Sequence, residues 1–358
     1  MAEGMSPRER VLTAMRRGRP DRAPKTLDLT PAKQAEFRSR TGQEDYAEFF
    51  RLEPRHVSIM PTRNPRDFSD YLSGEPRPSH HDEWGVGAIS AGFHHFERMV
   101  HPLGKARSPR DIAAYPWPDV LADYRWRELP RLVRAWQDRG YPVSASPPGA
   151  CAGAVFETSW YLRGQEQLLI DFHDNADLAV AILDTVNNTM IEAARRLAQA
   201  GVDIMHLGDD VGSQRAMLMS PESWRRWLKP RLAALIRAAK RIKPDLLAFY
   251  HSDGYIEPII PDLIEVGVDI LNPVQPECMD PVKVKREYGD RLAFWGTIGT
   301  QTTMPFGSPE EVRRVVRERI EAMGPEGLLL APTHVLEPDV PWENIVAFVE
   351  AVEEYGAG

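Results

Sequence analysis

Short apolar runs that alternate with helical patterns constrain the fold of this chain most strongly. Eight such runs are Pro24–Leu29, His56–Pro61, Pro142–Ser146, Asp203–Gly208, Leu246–Tyr250, Asp269–Pro273, Leu292–Thr297 and Leu328–Pro332. The last five alternate with amphipathic patterns, which predicts parallel strands joined by helical crossovers. Eight units of this kind close into a (β/α)8 TIM barrel, and we expect this α/β fold. An open doubly wound sheet is the alternative, but no glycine-rich dinucleotide fingerprint follows any run.

Capping sequences mark the starts of several predicted helices. Ser6-Pro7-Arg8-Glu9 opens a helix to about Arg17, because Ser6 can cap and Pro7 suits the first helical position. The same form at Ser220 and Ser308 predicts helices that run to about Ile242 and to Met323. A further amphipathic pattern covers 176–200.

Length and composition indicate one large globular domain. The chain has 358 residues, and we interpret residues 1–358 as one barrel with an irregular insertion at about 63–118 over the barrel mouth. Within it, Glu83–Val86 and His95–Arg98 are predicted to form a hairpin.

No apolar run has the ~18 residues that a membrane helix needs. The net charge of −8 also argues against a nucleic-acid partner.

The cellular location is predicted from the N-terminus and the cysteines. The first ten residues contain no apolar stretch of the signal-peptide kind. Two cysteines are too few for a disulfide framework. A cytoplasmic protein is the resulting prediction.

Polar side chains follow the apolar runs, where a barrel carries its chemistry. These candidates are Asp28, Arg63, Ser146, His206, Asp209, Asp210, His251, Asp253, Asn272, Gln275, Thr297, Gln301, Thr333 and His334. Single members of this set can instead cap helices or bind loop backbone. The whole set predicts a pocket for a small-molecule substrate, in which Asp28, Arg63, His206, Asn272, Gln275 and Gln301 are the expected binding residues.

The segment Tyr250-His251-Ser252-Asp253-Gly254 is the most informative part of the sequence. Residues two apart at a strand end can face the same side, so His251 and Asp253 can both face the barrel axis. His334 ends the last run, which neighbours the first in a closed barrel. These three residues would form a nitrogen and oxygen site for zinc or another first-row metal. Alternatively, Asp253 caps a helix and the histidines bind substrate.

Asp209 and Asp210 form a second candidate cluster after the run that contains His206. A buried carboxyl beside another has a raised pKa and can act as an acid. The sequence does not decide which of the two faces the pocket. Catalysis is therefore assigned to Asp209, Asp210 and His251 together, and helix capping is the alternative for Asp210.

Other polar and aromatic residues have weaker signals. Trp84 is expected to cover the pocket, and Glu157 to line it or to pack between helices. His80-His81 and His94-His95 have no standard zinc spacing, so we interpret them as exposed or lid-lining residues.

Several motifs together carry a resemblance that covers nearly the whole chain. They are Gly208-Asp209-Asp210 with Gln214-Arg215 and Met219-Ser220-Pro221, Tyr250-His251-Ser252-Asp253-Gly254, Asp269 to Gln275, Phe294-Trp295-Gly296, and Ala331-Pro332-Thr333-His334 with Pro341-Trp342-Glu343-Asn344. In these motifs the chain resembles the uroporphyrinogen decarboxylase superfamily. The resemblance implies a (β/α)8 barrel and two kinds of activity: porphyrinogen decarboxylation and zinc-dependent methyl transfer with corrinoids.

The chain departs from both branches of that superfamily. The decarboxylases resemble one another in an N-terminal Arg-Gln-Ala-Gly-Arg segment, whereas the matching run Pro24–Leu29 has no arginine. The methyltransferase branch has His-x-Cys-Gly where this chain has His251-Ser252-Asp253-Gly254, and a second cysteine near the position of His334. Harder ligands therefore replace both thiolates, which favours an oxygen-containing substrate at least as much as a thiol.

Three hypotheses follow from the motifs. The first is a methyltransferase that moves a methyl group between a small methylated compound and a corrinoid on a separate protein, with zinc at His251, Asp253 and His334. The second is metal-free decarboxylation of a porphyrinogen or a smaller carboxylic acid. The third is a non-catalytic barrel that binds a ligand. A homodimer is compatible with each.

Overall fold

A ring of parallel strands forms the centre of the molecule. The computed structural model describes residues 4–74, 77–90 and 97–356. One sheet contains the strands β1 (Arg55–His56), β5 (Val143–Ala145), β6 (Ile204–Gly208), β7 (Leu247–His251), β8 (Ile270–Asn272), β9 (Ala293–Ile298) and β10 (Leu328–Pro332), in that order. A separate antiparallel sheet contains β2 (His80–His81), β3 (Gly87–Ser90) and β4 (Glu97–Val100).

The predicted run 24–29 completes the ring as its eighth member. Lys25 makes a parallel bridge with Leu330 of β10, and Leu29 makes one with Leu336 just after that strand. On the other side, the amide of Glu53 donates a hydrogen bond to the carbonyl of Lys25. All eight predicted runs thus lie side by side, and the (β/α)8 prediction is confirmed.

Helices surround this ring and follow its strands. The first six are α1 (Pro7–Met15), α2 (Pro31–Thr41), α3 (Tyr46–Phe49), α4 (Pro109–Ala113), α5 (Asp123–Trp126) and α6 (Leu129–Asp138). The next five are α7 (Val155–Arg163), α8 (Gln165–Asp174), α9 (Ala176–Ala200), α10 (Pro221–Trp227) and α11 (Lys229–Lys240). The last are a short 3-10 turn (Glu257–Ile259), α12 (Ile260–Glu265), α13 (Pro281–Tyr288), α14 (Thr303–Phe306), α15 (Pro309–Met323) and α16 (Trp342–Tyr355).

One predicted helix is wrong in its extent. The pattern from Ser220 to about Ile242 forms two helices, α10 and α11, rather than one. Pro230 lies at the start of the second helix, and its ring and missing N–H prevent an unbroken helix through this point. The amphipathic period continues across the break, so the pattern alone could not show it.

Helix α1 closes the end of the barrel opposite the strands' carboxyl ends. Its apolar residues pack in one cluster with inward-facing residues of the strands. The cluster comprises Val11, Leu12, Ala14, Met15, Ile204, Leu247, Phe249, Ile270, Ala293, Trp295, Leu329 and Ala331. The barrel interior is therefore filled at this end, and a cavity opens at the other, toward the carboxyl ends of the strands.

The insertion forms its own small sheet and contacts α7 of the barrel. Its predicted hairpin is shifted, because β3 begins after residue 86 and pairs with β4; residues 95 and 96 lie outside the described residues. The segment 83–86 is instead a turn in which Asp82 accepts hydrogen bonds from the amides of Trp84 and Val86. Arg163 of α7 donates to the carbonyls of Leu103, Gly104 and Ala106, which ties the insertion to the barrel.

Candidate active site

A cavity of about 340 Å3 opens at the carboxyl ends of the strands. Its lining residues come from six of the eight ring segments and from the loops that follow them. They are Thr26, Leu27, Asp28, Ser146, Cys151, Ala152, Ala154, Glu157, His206, Leu207, Gly208, Phe249, His251, Asn272, Trp295, Ala331, Pro332, Thr333, His334 and Val335. A second cavity of about 160 Å3 shares His334 and Val335 with it.

Three rings form the floor of the larger cavity. His206 of β6 stacks on Phe249 of β7 with their ring centroids 4.1 Å apart. Trp295 of β9 packs edge-on against Phe249, with 5.2 Å between the centroids. The Nε2 atom of His206 is buried and has no hydrogen-bond partner in the structure. Burial lowers the pKa of His206 well below its usual value, so the imidazole is neutral at pH 7.

His251 is held in one orientation above this floor. Its Nδ1 lies 2.5 Å from Oδ1 of Asn272, and the Asn272 side-chain nitrogen donates to the carbonyl of Trp295 at 2.7 Å. Because the amide nitrogen is committed to Trp295, Asn272 presents its oxygen to His251. Nδ1 therefore carries a proton, and Nε2 is the nitrogen left for other groups. Burial opposes the charged form of His251, but the carboxylates of Asp253 and Asp210 outweigh it and raise its pKa, so an ion at Nε2 would replace a proton there.

Two carboxylates face Nε2 of His251. Oδ1 of Asp210 lies at 3.5 Å and Oδ1 of Asp253 at 3.9 Å from that nitrogen. One donor atom from each of the three residues lies within 4.8 Å of the others. Oδ1 of Asp253 is also buried without a hydrogen-bond partner. A buried, unpartnered carboxylate oxygen beside an imidazole nitrogen fits a divalent cation that accepts nitrogen and oxygen ligands.

The predicted third ligand, His334, is not part of this cluster. Asp210 stands in its place among the grouped donor atoms. The neighbouring Thr333 is buried and pairs its hydroxyl with Thr300, while His334 is exposed where the two cavities meet. The loop conformations place Asp210, which follows β6, in the cluster with His251 and Asp253. They leave His334, which follows β10, outside that cluster.

The structure separates the two aspartates that the sequence could not rank. Asp209 is buried, and its Oδ1 accepts the amide of Glu157 in the first turn of α7. The amide of Asp210 donates to Oε2 of Glu157, and Oδ1 of Asp210 accepts the amide of Asp253 at 2.7 Å. Asp209 therefore holds the start of a helix, and Asp210 faces the cluster.

The surroundings of these carboxyls shift their pKa values. Burial, followed by repulsion from Glu157, raises the pKa of Asp209 well above its usual value. Burial and the nearby Asp210 raise the pKa of Glu157 to about 7. Glu157 thus holds a carboxyl that can carry a proton near neutral pH at the cavity wall.

Other predicted residues take separate places around the two cavities. Asp28 lines the larger one and is exposed there. Gln275 and Gln301 line the second. The side-chain oxygen of Gln275 accepts the amide of Gly254 at 2.6 Å, so it fixes the loop after Asp253. Gln301 is exposed and pairs with Gln214.

Two predicted binding residues lie away from both cavities. Arg63 stacks over the ring of Tyr124, with its guanidinium carbon 5.2 Å from the centroid. Trp84 is 1 % exposed and packs edge-on against Trp117 inside the insertion. Neither side chain lines the cavities found among the described residues.

Phe249, Trp295 and Cys151 line the larger cavity without having been predicted as site residues. Phe249 lies two residues before His251, so the same alternation that placed His251 inward also places Phe249 inward. Cys151 lines the cavity, and burial raises the pKa of its thiol. It is therefore a neutral thiol rather than a reactive thiolate.

Comparison with known proteins identifies the family of this chain. The model of the uroporphyrinogen decarboxylase (URO-D) family matches residues 104–355. The chain belongs to the uroporphyrinogen decarboxylase family. Two methylcobamide:CoM methyltransferases MtaA, from Methanosarcina barkeri and from its strain Fusaro, are 29% and 28% identical to it over 182 residues. This is 51% of the chain and 50% of each relative, so the chain spans about half the length of the curated relatives it matches.

A solved structure extends the likeness in fold to nearly the full chain. A methyltransferase from Methanosarcina mazei superposes with a TM-score of 0.70 at 19% identity, over 98% of this chain and 99% of that one. This likeness supports the barrel fold of the family. Among the described residues, no helix is both long and apolar enough to cross a membrane.

Proposed function

We propose that this chain transfers a methyl group between a small methylated compound and a corrinoid carried by a separate protein. The observation that carries the proposal is the cluster of Asp210, His251 and Asp253 beside a closed-bottomed cavity. The named activity of the two Methanosarcina barkeri relatives supports the same class of reaction. Zinc is the proposed ion, since the three side chains offer one nitrogen and two carboxylates.

The reaction needs a proton when the methyl group leaves oxygen or nitrogen. In one direction a CH3–X bond breaks, a bond from the methyl group to cobalt forms, and cobalt(I) becomes cobalt(III). The electron pair of the broken bond stays on X, which then takes a proton. A bound zinc ion would supply Lewis acidity toward X. Glu157 is the proposed proton carrier, because its carboxyl lines the cavity and bonds the backbone of Asp210.

The cavity lining argues against a porphyrinogen substrate. A substrate with many carboxylates needs cationic partners. Among the described residues, neither cavity is lined by lysine or arginine. Arg215, in the loop after β6, is exposed and lines neither. Decarboxylation of a porphyrinogen therefore lacks the binding groups that the reaction requires.

Metal content and methyl transfer test the proposal in two steps. We expect near-stoichiometric zinc in the wild type, loss of it in His251→Ala and in Asp253→Ala, and retention in His334→Ala. His173→Ala, at an exposed position on α8, is the control for removing any histidine. Metal loss in His334→Ala but not in Asp253→Ala would contradict the assigned ligands.

The second step follows the corrinoid by its absorbance. Wild-type protein with zinc and a methyl donor should convert cob(I)alamin to methylcob(III)alamin, and His251→Ala should not. Release of carbon dioxide from a carboxylic acid without cobalamin would refute methyl transfer and favour the decarboxylase hypothesis.

A further inference from the structure

We infer that His206 binds the methylated compound, and that this compound carries a hydroxyl, carbonyl or amide group at the end away from its methyl group. This inference rests on the proposed function, because it describes the substrate that the same cavity would take. Three observations carry it: the unpaired nitrogens of His206, the open space above this side chain, and its place relative to the cluster that contains His251.

Ring packing holds His206 in place and leaves both of its nitrogens without a protein partner. Phe249 stacks on the imidazole with an interplanar angle of 14°, and Trp295 stands edge-on to it with 5.5 Å between the centroids. Nε2 is enclosed without a hydrogen bond, and no described residue bonds Nδ1 either. A buried polar atom without a partner costs folding free energy. The packing would equally suit an apolar ring, so the polar atoms of His206 serve something other than the fold.

His206 faces open space because the next inward position on β6 has no side chain. The imidazole lines the larger cavity, and Nδ1 is the nitrogen that is not enclosed. Gly208 follows two residues later on the same face of the strand and lines the cavity as well. A Cβ at this glycine would lie 2.9 Å from the backbone oxygen of His251, so no larger residue fits there. A ligand can therefore reach Nδ1 from the mouth of the barrel.

The place of His206 determines which end of the ligand it contacts. Gly208 is in register with His251, so His206 lies two residues below that ligand of the cluster, about 7 Å along the strands. A compound with its methyl group at the cluster thus has its other end at His206.

The chemistry of His206 determines what that end carries. The imidazole is neutral because burial lowers its pKa, and no protein hydrogen bond fixes its tautomer, so Nδ1 can pair with a donor or an acceptor. An apolar end would exclude water from Nδ1 without replacing its hydrogen bond, which costs binding free energy. A hydroxyl, carbonyl or amide at that end restores the bond.

Two matched probes test this inference without turnover. 4-Methoxyphenol and anisole are flat, as the ring floor favours, and differ only by the hydroxyl opposite the methoxy group. A hydroxyl pairs with either tautomer of His206. Dissociation constants are measured by ligand-observed NMR on the full zinc-free chain, where no metal ion can hold the hydroxyl instead. We expect the phenol to bind about fivefold more tightly than anisole, which corresponds to one neutral hydrogen bond of about 1 kcal/mol. Equal or weaker binding of the phenol, or no binding of either probe, would overturn the inference.

Three variants connect the preference for the phenol to His206. His206→Phe should abolish it, because the hydroxyl would then be buried without a partner. His206→Asn keeps a polar atom at the place of Nδ1 and should retain the preference. His251→Ala should retain it too, because the hydroxyl lies at the other end of the ligand. A preference that survives in His206→Phe, or that disappears in either of the other variants, would overturn the inference.

Thermal unfolding of the ligand-free protein tests whether the fold itself needs His206. His206→Phe should melt at or above the temperature of the wild type, because it removes an unpaired buried nitrogen. His101→Phe is the matched control and should melt below the wild type, since Nδ1 of His101 bonds the carbonyl of Tyr161 at 2.7 Å. An equal loss of melting temperature in both variants would overturn the inference.

Methyl transfer separates the failure of this inference from that of the proposed function. Binding of 4-methoxyphenol through His206, without methyl transfer from any donor to cob(I)alamin, would refute the proposed function and leave this inference standing. Methyl transfer by a wild type whose preference for the phenol persists in His206→Phe would refute this inference alone.

Discussion

Replacing Asn272 tests whether the orientation of His251 controls metal binding. Asn272 is 9 % exposed and makes two hydrogen bonds, one with Nδ1 of His251 and one to the carbonyl of Trp295. Asn272→Ala removes both, so the imidazole can rotate and exchange its tautomers. Loss of such a partner typically costs about 10–100-fold in metal affinity. The same change should cost about 1–3 kcal/mol of folding free energy, because a buried carbonyl loses its donor.

The assay is zinc titration against a chromophoric chelator, with thermal unfolding of the metal-free protein measured in parallel. Asn272→Asp separates orientation from packing, because it keeps an acceptor for His251 and loses the donor to Trp295. We expect its zinc affinity to fall less than that of Asn272→Ala. Asn64→Ala is the matched control, since its amide bonds Asp119 outside the site. Wild-type zinc affinity in a folded Asn272→Ala protein would refute the reasoning.

Three further predictions concern the frame around the site. Met15→Ala should destabilise the protein by about 2–5 kcal/mol in denaturant titration, because the side chain is fully buried in the apolar cluster between α1 and the strands. A change below about 1 kcal/mol would contradict that packing. Gly254→Ala should lower both melting temperature and zinc affinity, since φ is +80° and an added Cβ would lie 2.6 Å from the carbonyl carbon of Gly212; an unchanged affinity would show that this loop does not position Asp253. The hydrogen bond from Arg10 is the main cause that lowers the pKa of Asp21 in the folded state, so Asp21 stabilises the fold above its unfolded pKa of about 3.9. The stability difference between wild type and Asp21→Asn should therefore be full near pH 6 and shrink as the pH falls through the folded pKa, and equilibrium unfolding at several pH values checks this.

The sequence by itself determined the barrel and the rim on which its chemistry lies. Apolar runs that suit burial on both faces indicate parallel strands. The spacing between successive runs is long enough for one helical crossover after each strand. The residues that follow a strand in such a fold must face the mouth. For that reason the sequence alone was enough to propose four site residues: His251, Asp253, Glu157 and Asn272.

Tertiary structure alone decided which of these side chains meet. Asp209 and Asp210 are adjacent in the chain, yet one caps α7 and the other faces His251. His334 has a suitable side chain and strand position but lies outside the cluster. Whether these side chains meet depends on loop conformations set by long-range hydrogen bonds, such as the one from the amide of Asp253 to Asp210. Local periodicity carries no information about distances between loops that are far apart in sequence, so the proposed ligand set could be named only from the folded chain.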